Sequence, residues 1–120
     1  MELKKRFTFE AAHRLPNVPD GHKCGNIHGH SFTVEVGVSG EVQRREGWVM
    51  DFAEVGAAMQ PILDELDHSY LNEVEGLSNP TSENIAIWIW QRLEPSLPGL
   101  ASIAVYETPD SGCIYRGPGQ

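Results

Sequence analysis

The alternation of side chains after His28 constrains the fold of this chain more than any other feature. Four apolar residues occupy every second position of the segment: Phe32, Val34, Val36 and Val38. The residues between them are polar or small. A period of two indicates a β-strand with one buried face. We predict that this strand runs from about His28 to Val42, so the chain must build a sheet with an apolar side.

Two histidines share the parity of those apolar positions. If the strand reaches His28 and His30 without a bulge, both imidazoles point toward the apolar side. His13 offers a possible third imidazole, whereas His22 has no strand partner at i+2. Three imidazoles with an open fourth position can hold a catalytic zinc ion, while structural zinc is usually closed by four ligands. The motif alone fits two polar strand residues equally well, but buried rings need partners, and a metal ion would be one.

Composition limits the class of protein. At 120 residues and 40% hydrophobic content, the chain is expected to be a single domain, residues 1–120, with its own core. The formal net charge of −8 argues against nucleic acid as a partner, since phosphate binding needs clustered cations. Because the sequence has no long apolar run and no signal peptide, we expect no membrane segment and a cytoplasmic location. Cys24 and Cys113 are too few for a disulfide framework, so Cys24 is expected to be free to react.

Strands and helices are predicted in the order ββααββ. The strands cover Leu3–Glu10, His28–Val42, Ala101–Glu107 and Cys113–Arg116, with an irregular connection at 11–27 and a hairpin turn at 109–112. One helix covers about 51–66, with Asp51 as N-cap, Glu54 as its capping-box partner and a bend or local break at Pro61. The other begins after Thr81 and ends near Leu93. This order predicts an α+β domain with an antiparallel four-stranded sheet and both helices on one face.

The second predicted helix is apolar nearly all round. Hydrophobic residues fill most of the segment from Ile85 to Trp90. We therefore expect it to pack against the sheet on one side and against another helix or a second subunit on the other. Oligomerisation follows as a hypothesis.

Three further places could carry chemistry. Asp67 could orient His68 for proton transfer, although a solvated helix end is the more ordinary explanation of the pair. The hydroxyls of Thr81 and Ser82 at a helix start could bind a ligand, although capping alone explains Thr81. Glu107, at the end of an apolar strand, could accept paired N–H groups of a heterocycle or could be an exposed acid.

Taken in register, several motifs extend over nearly the whole chain. They are Phe9–Leu15, Gly21–Gly25 followed by His28–His30, Asp51–Phe52, Leu66–His68 with Leu71–Asn72, Asn79–Glu83, Glu107–Thr108 and Gly112–Gly117. This set resembles the 6-pyruvoyl-tetrahydropterin synthase superfamily. The three-residue gap between Cys24 and His28 is similar to that of the queuosine-pathway branch, the 6-carboxytetrahydropterin synthases, since the biopterin branch typically has a longer spacer.

The resemblance implies a role for each candidate residue. Zinc would be held by His13, His28 and His30. Cys24 would be the proton-abstracting base, and His68, oriented by Asp67, the second acid/base group. Glu107 would anchor the pterin ring, with Thr81 and Ser82 nearby. The implied fold is the tunnelling fold, in which trimers close a β-barrel and two trimers stack into a homohexamer with sites shared between subunits.

The reaction implied by the resemblance starts from a small-molecule pterin triphosphate. A zinc-dependent lyase of this kind converts 7,8-dihydroneopterin triphosphate to 6-carboxy-5,6,7,8-tetrahydropterin, acetaldehyde and triphosphate, in queuosine biosynthesis. Two alternatives stay open. One is the biopterin-type elimination of triphosphate, which yields 6-pyruvoyl-tetrahydropterin. The other is a non-catalytic zinc-binding or pterin-binding module.

Overall fold

The computed structural model describes residues 1–119 of the chain. It contains five strands and two helices: β1 (Glu2–His13), β2 (His28–Ser39), α1 (Phe52–Leu66), β3 (Ser69–Tyr70), α2 (Ser82–Leu93), β4 (Leu100–Thr108) and β5 (Ser111–Tyr115). The predicted α+β class is confirmed. None of the helices within residues 1–119 combines the length and the hydropathy needed to span a membrane.

The sheet has five strands in the order β3-β1-β2-β4-β5. β1, β2, β4 and β5 are antiparallel neighbours, while β3 lies parallel to β1 and pairs only with Ala11 and Ala12. The predicted four-stranded antiparallel sheet was therefore wrong by one parallel edge strand. Two residues are too short to display any period, so this strand leaves no pattern in the sequence.

β1 is longer than predicted, and this places the first histidine. The strand continues past Glu10 because Ala11 and His13 keep the inward alternation of Phe7 and Phe9. His13 ends the strand and pairs with His28, the first residue of β2. The predicted irregular connection at 11–27 is thus shorter, at 14–27, and β2 ends at Ser39 rather than Val42.

The core lies between the helices and one face of the sheet. Phe9 and Phe32 stack with ring centroids 4.9 Å apart, and Val34 lies opposite Val105 on the next strand. All four side chains are buried, in one cluster with the inward side chains of both helices. Both helices therefore cover one face, and the apolar parity of β2 that fills the core also carries His28 and His30 toward that side.

The helix starts largely follow the sequence. Asp51 caps α1, but its carboxylate accepts the amide of Ala53, so the capping box predicted with Glu54 is not the bond observed. α1 runs without interruption through Pro61, and the predicted local break is absent, since buried Met59 and Ile62 hold the helix to the core on both sides of it. Thr81 caps α2, as predicted.

The apolar residues around α2 pack against other parts of the same chain. Trp88 is buried and donates its indole N–H to the carbonyl oxygen of Glu75, while Trp90 packs edge-on against Tyr115 of β5. Ile85 and Ile89 belong to the same core cluster as the sheet. A second subunit is not needed to cover this helix, so its composition does not by itself argue for an oligomer.

Candidate active site around three histidines

The three predicted ligand histidines lie together at one end of the β1–β2 hairpin. Pairing of His13 with His28 brings two imidazoles side by side, and His30 lies two residues further along β2 on the same face. Each ring offers one nitrogen within 4.8 Å of those of the other two. This group can hold a metal ion.

Backbone carbonyls fix the orientation of two of these rings. Nδ1 of His13 lies 2.8 Å from the carbonyl oxygen of Pro80, and Nδ1 of His28 lies 2.7 Å from that of Asn26. A carbonyl oxygen only accepts hydrogen bonds, so Nδ1 must carry the proton in each ring. The lone pair is then on Nε2. Such a hydrogen bond behind the ring is what metal-bound histidines generally have.

The nitrogens that remain have no partner within the described chain. Nε2 of His13 and Nε2 of His30 are buried without a hydrogen bond among residues 1–119. Burying a polar atom in this way costs free energy unless a ligand satisfies it. Burial also lowers the pKa of His13 and favours the neutral ring that a metal requires, although the Pro80 carbonyl opposes the shift. Neutral imidazoles suit zinc, so the residues present fit this metal.

Glu107 faces the same cluster from the end of β4. Its carboxylate oxygens lie 4.0 Å from Nε2 of His13 and 3.8 Å from Nε2 of His30. These distances are too long for direct hydrogen bonds, so the carboxylate faces the two nitrogens without bonding to them. The side chain is 29% exposed, so solvent and ligand can reach it.

Two clefts meet at Glu107. The smaller, of about 200 Å³, is lined by Ser82, Glu83, Glu107, Ser111, Gly112 and Cys113. The larger, of about 620 Å³, contains His30 and Tyr106 as well as Glu107. Ser82 and Glu107, both predicted to contact substrate, therefore line one cleft. Thr81 is not among its lining residues, and its hydroxyl oxygen accepts the amide of Asn84.

Asp67 and His68 form a pair at the outer edge of β1. Oδ1 of Asp67 lies 3.1 Å from Nδ1 of His68 and also accepts the amide of Glu10 at 2.8 Å. The Glu10 amide, and then the contact with His68, hold the pKa of Asp67 below its ordinary value. His68 has a φ of 59°, in the left-handed region, and its side chain is 78% exposed. It lines an open cleft of about 500 Å³ together with His30 and Ser31.

Cys24 lies on a short 3-10 turn, Lys23–Gly25, in the loop that joins β1 to β2. Its amide donates to Nδ1 of His22, and its carbonyl oxygen accepts the amide of Leu15. The backbone of the residue is therefore fixed on both sides, while the thiol is half-buried and free. Within residues 1–119 of one chain, no hydrogen bond joins this thiol to His68 or to the three histidines.

Three contributors to this region were not predicted from the sequence. The carbonyls of Pro80 and Asn26 orient the histidines, and Cys113 shares the cleft of Glu107. Backbone carbonyls leave no signature in a sequence, because every residue has one. Cys113 was detectable as part of the Gly112–Gly117 motif, but nothing local to it pointed toward Glu107.

Comparison with known proteins agrees with this geometry. The family model described as 6-pyruvoyl tetrahydropterin synthase matches residues 2–118. A 6-carboxy-5,6,7,8-tetrahydropterin synthase from Synechocystis is 45% identical, over 97% of this chain and 93% of its own. A dihydroneopterin monophosphate aldolase from Pyrococcus furiosus is 37% identical, over 89% and 90%.

The fold agrees as well. The structure of the 6-pyruvoyl tetrahydropterin synthase of Caenorhabditis elegans superposes with a TM-score of 0.90 at 32% identity, over 98% of this chain and 95% of that one. The motifs, the hairpin that carries the histidines and the arrangement of the whole domain thus lead to one assignment. This chain belongs to the 6-pyruvoyl tetrahydropterin synthase family of enzymes.

Proposed function

We propose that this enzyme is a zinc-dependent lyase that converts 7,8-dihydroneopterin triphosphate and water to 6-carboxy-5,6,7,8-tetrahydropterin, acetaldehyde and triphosphate. The observation that carries the proposal is the cluster of His13, His28 and His30, with two buried Nε2 atoms unsatisfied among residues 1–119 and a carboxylate opposite. The name of the Synechocystis relative supports the product. The same relationship supports a place in queuosine biosynthesis, and the need for a reduced Cys24 favours the cytoplasm.

Each residue of the site has a task in this reaction. When bound, zinc would polarise the oxygens of the substrate side chain as a Lewis acid and make neighbouring C–H and O–H groups more acidic. Cys24 takes a proton from the side chain as a thiolate base. His68 returns or removes the second proton, and Asp67 holds the ring through Nδ1 so that Nε2 faces the substrate.

Glu107 and its cleft bind the pterin. A carboxylate can accept two parallel N–H groups from the guanidine-like edge of the ring, as it does from an arginine. Ser82 lines the same cleft and can hydrogen-bond the ring, and Thr81 directs the start of α2 toward it. Because Glu107 lies within 4.0 Å of His13 and His30, a pterin ring held by this carboxylate would lie beside the histidines that would hold zinc.

The site is completed between copies of the chain. Within residues 1–119 no hydrogen bond joins Cys24 to His68, yet the proposed reaction needs both groups at one substrate. A homohexamer built as a dimer of trimers would bring a second copy of the Asp67–His68 pair to each Cys24. Neither nucleic acid nor membrane is required for this arrangement.

The decisive experiment identifies the products. The zinc-loaded protein is incubated with 7,8-dihydroneopterin triphosphate, and the pterins are analysed by mass spectrometry while acetaldehyde is trapped in parallel. The proposal expects 6-carboxytetrahydropterin with an equal amount of acetaldehyde. Unchanged substrate would refute the lyase and leave a pterin-binding or zinc-binding module.

A second candidate reaction has its own support. The structure from Caenorhabditis elegans, whose TM-score is 0.90, is named 6-pyruvoyl tetrahydropterin synthase. That reaction eliminates triphosphate and keeps the three-carbon side chain. Formation of 6-pyruvoyl-tetrahydropterin without acetaldehyde would therefore assign this chain to the biopterin-type reaction.

A variant of the proposed base separates catalysis from assembly. Cys24→Ala should lower kcat by about 10²-fold or more, which is typical for removal of a general base. Its zinc content and oligomeric state should match those of the unchanged protein, because no bond joins the thiol to the three histidines within residues 1–119. Retained turnover would remove Cys24 from the mechanism.

A further inference from the structure

The Leu71–Asn72 motif is not explained by metal, base or pterin binding, yet Asn72 makes a specific contact. Its Oδ1 accepts the backbone amide of Arg14 at 2.9 Å, and its Nδ2 donates to the backbone carbonyl of the same residue at 2.8 Å. The side-chain amide of Asn72 thus forms hydrogen bonds with both the backbone N–H and the backbone C=O of Arg14. This is the pairing that a neighbouring strand would otherwise supply.

The contact extends the short β3 ladder. β3 pairs with β1 only at Ala11 and Ala12, after which the chain turns away in a 3-10 turn over Leu71–Glu73. Asn72 reaches back from that turn to Arg14, one residue beyond the end of β1. At the other end of the same segment, Asp67 accepts the amide of Glu10. The segment 67–72 is therefore fixed to β1 at both ends by side chains.

Arg14 also holds the loop that carries Cys24. Its Nε donates to the carbonyl oxygen of Gly25 at 3.1 Å, directly after Cys24. The next residue, Leu15, donates its amide to the carbonyl oxygen of Cys24 at 2.8 Å. The backbone of Arg14 thus contacts Asn72 while its side chain contacts the Cys24 turn, and His13 precedes it in the chain.

We propose that Arg14 and Asn72 form a clamp that fixes the Cys24 turn and the Asp67–His68 pair relative to His13. Both are positioning residues, since neither is argued to touch substrate. Their effect on turnover rests on the proposed function, whereas their effect on the Cys24 turn does not. The clamp thus joins the Cys24 turn, the segment 67–72 and the end of β1 into one rigid unit. Within residues 1–119, no hydrogen bond between the reactive side chains of these elements does so.

The test uses the zinc-loaded protein and follows the thiol directly. Alkylation of Cys24 by iodoacetamide is measured by mass spectrometry of its peptide, with Cys113 as an internal control in the same sample. Asn72→Ala should raise the alkylation rate of Cys24 by about threefold or more, because the released turn opens more often. The rate at Cys113, which lies on β5, should not change.

Kinetics give the second readout. A misplaced base lowers the rate of chemistry more than it weakens binding, so kcat of Asn72→Ala should fall about tenfold or more while KM changes less than about threefold. Gln60→Ala is the matched control, since it also removes a side-chain amide from its hydrogen bond, to Asp64 on the outer surface of α1. Its kcat and its Cys24 alkylation should equal those of the unchanged protein.

Arg14→Lys tests the other arm. It leaves both backbone bonds to Asn72 in place and removes only the guanidinium contact with Gly25. Its Cys24 should also be alkylated faster, even if Asn72→Ala fails to fold.

Equal Cys24 alkylation in Arg14→Lys and the unchanged protein would overturn the clamp. So would a parallel rise at Cys113 or loss of zinc in Asn72→Ala, since either would indicate general loosening. If the unchanged protein had no turnover, the proposed lyase would fail, while the alkylation comparison would still decide the clamp.

Discussion

At the scale of single residues, the buried edge of His13 sets the chemistry of the site. Nδ1 of His13 donates a hydrogen bond to the carbonyl oxygen of Pro80, and Nε2 of His13 has no partner among residues 1–119. A donor set of this kind is stabilised by an ion more than by water, because the three nitrogens converge from two strands on one point. The shared face of His28 and His30 could be predicted from parity, since the pattern of β2 extends back to His28, whereas a role for His13 was implied by the family resemblance. The carbonyls that orient them could not, because only the fold brings residue 80 to residue 13.

Replacing one ligand tests this set. His28→Ala should lose most of its zinc after dialysis against dilute chelator, because two imidazoles bind far more weakly than three. The measurement is metal content per chain by mass spectrometry. His22→Ala is the matched control, since His22 bonds to the amide of Cys24 and lies outside the cluster. Full zinc content in His28→Ala would contradict the assignment.

Cys113 should react slowly with alkylating reagents. Burial raises the pKa of its thiol above the usual 9.0, and the charges of Glu83 and Glu107 add to the shift. Only the thiolate reacts, so the rate at Cys113 should rise with pH throughout the range below this pKa. Glu83→Gln removes one raising charge, and the alkylation rate at about pH 8 should increase. The rate at Cys24 in the same sample is the control, and an unchanged or slower rate at Cys113 would contradict the expectation.

At the scale of elements, the segments with a clear period could be predicted and the segments without one could not. The alternation in β2 and the caps of α1 and α2 are local signals, and each appears where the sequence indicated. β3 is two residues long and exists because the turn after α1 meets the edge of β1, which is a tertiary event. The small cleft beside Glu107 is also a tertiary feature, since it forms where β5 brings Cys113 next to this carboxylate.

The hairpin of β4 and β5 depends on a residue without a side chain. A Cβ atom at Gly112 would lie 2.2 Å from Cδ1 of Tyr106 and 2.7 Å from the carbonyl oxygen of Val105. Gly112→Ala should therefore lower the free energy of unfolding by about 1–3 kcal/mol, as overpacking generally does. Urea unfolding at equal protein concentration measures the change. Gly56→Ala in α1 meets only the flexible end of Lys5 at 3.6 Å and should instead be neutral or stabilising. A Gly112→Ala protein as stable as the unchanged one would contradict the steric argument.

At the scale of the whole molecule, the chain is elongated. Its extents are 57 × 28 × 25 Å, and its radius of gyration is 15.3 Å, compared with about 13.6 Å expected for a compact chain of this length. The twelve-residue strands β1 and β2 are each about 40 Å long, which exceeds the two shorter extents and supplies most of the long dimension. β3 covers β1 only at Ala11 and Ala12, which leaves most of that edge unpaired within the described chain, and β5 is the opposite edge. Open edges of this kind pair with other strands, which favours an oligomer.

The oligomeric state follows as a prediction. Gel filtration with light scattering should give a hexamer, in which the β1 edge of one copy meets the β5 edge of the next. Zinc-free protein is measured in parallel and should give the same oligomeric state. The histidines lie at the end of the hairpin, whereas the sheet edges that would pair run along its length. A monomer at micromolar concentration would contradict this assembly and, with it, the completion of the site by a second copy.

The pairing of His13 with His28 has a consequence for how sites of this kind can diversify. The two histidines are adjacent across the hairpin, so the fourteen residues between them, 14–27, form an excursion that begins and ends beside the histidine cluster. Doubling the length of such an excursion costs only about 0.6 kcal/mol of closure entropy. Insertions near Gly21, which has a positive φ and open space around it, would lengthen this excursion without changing the pairing that places His13 beside His28. The loop that carries Cys24 can therefore change in length while the three histidines keep their positions.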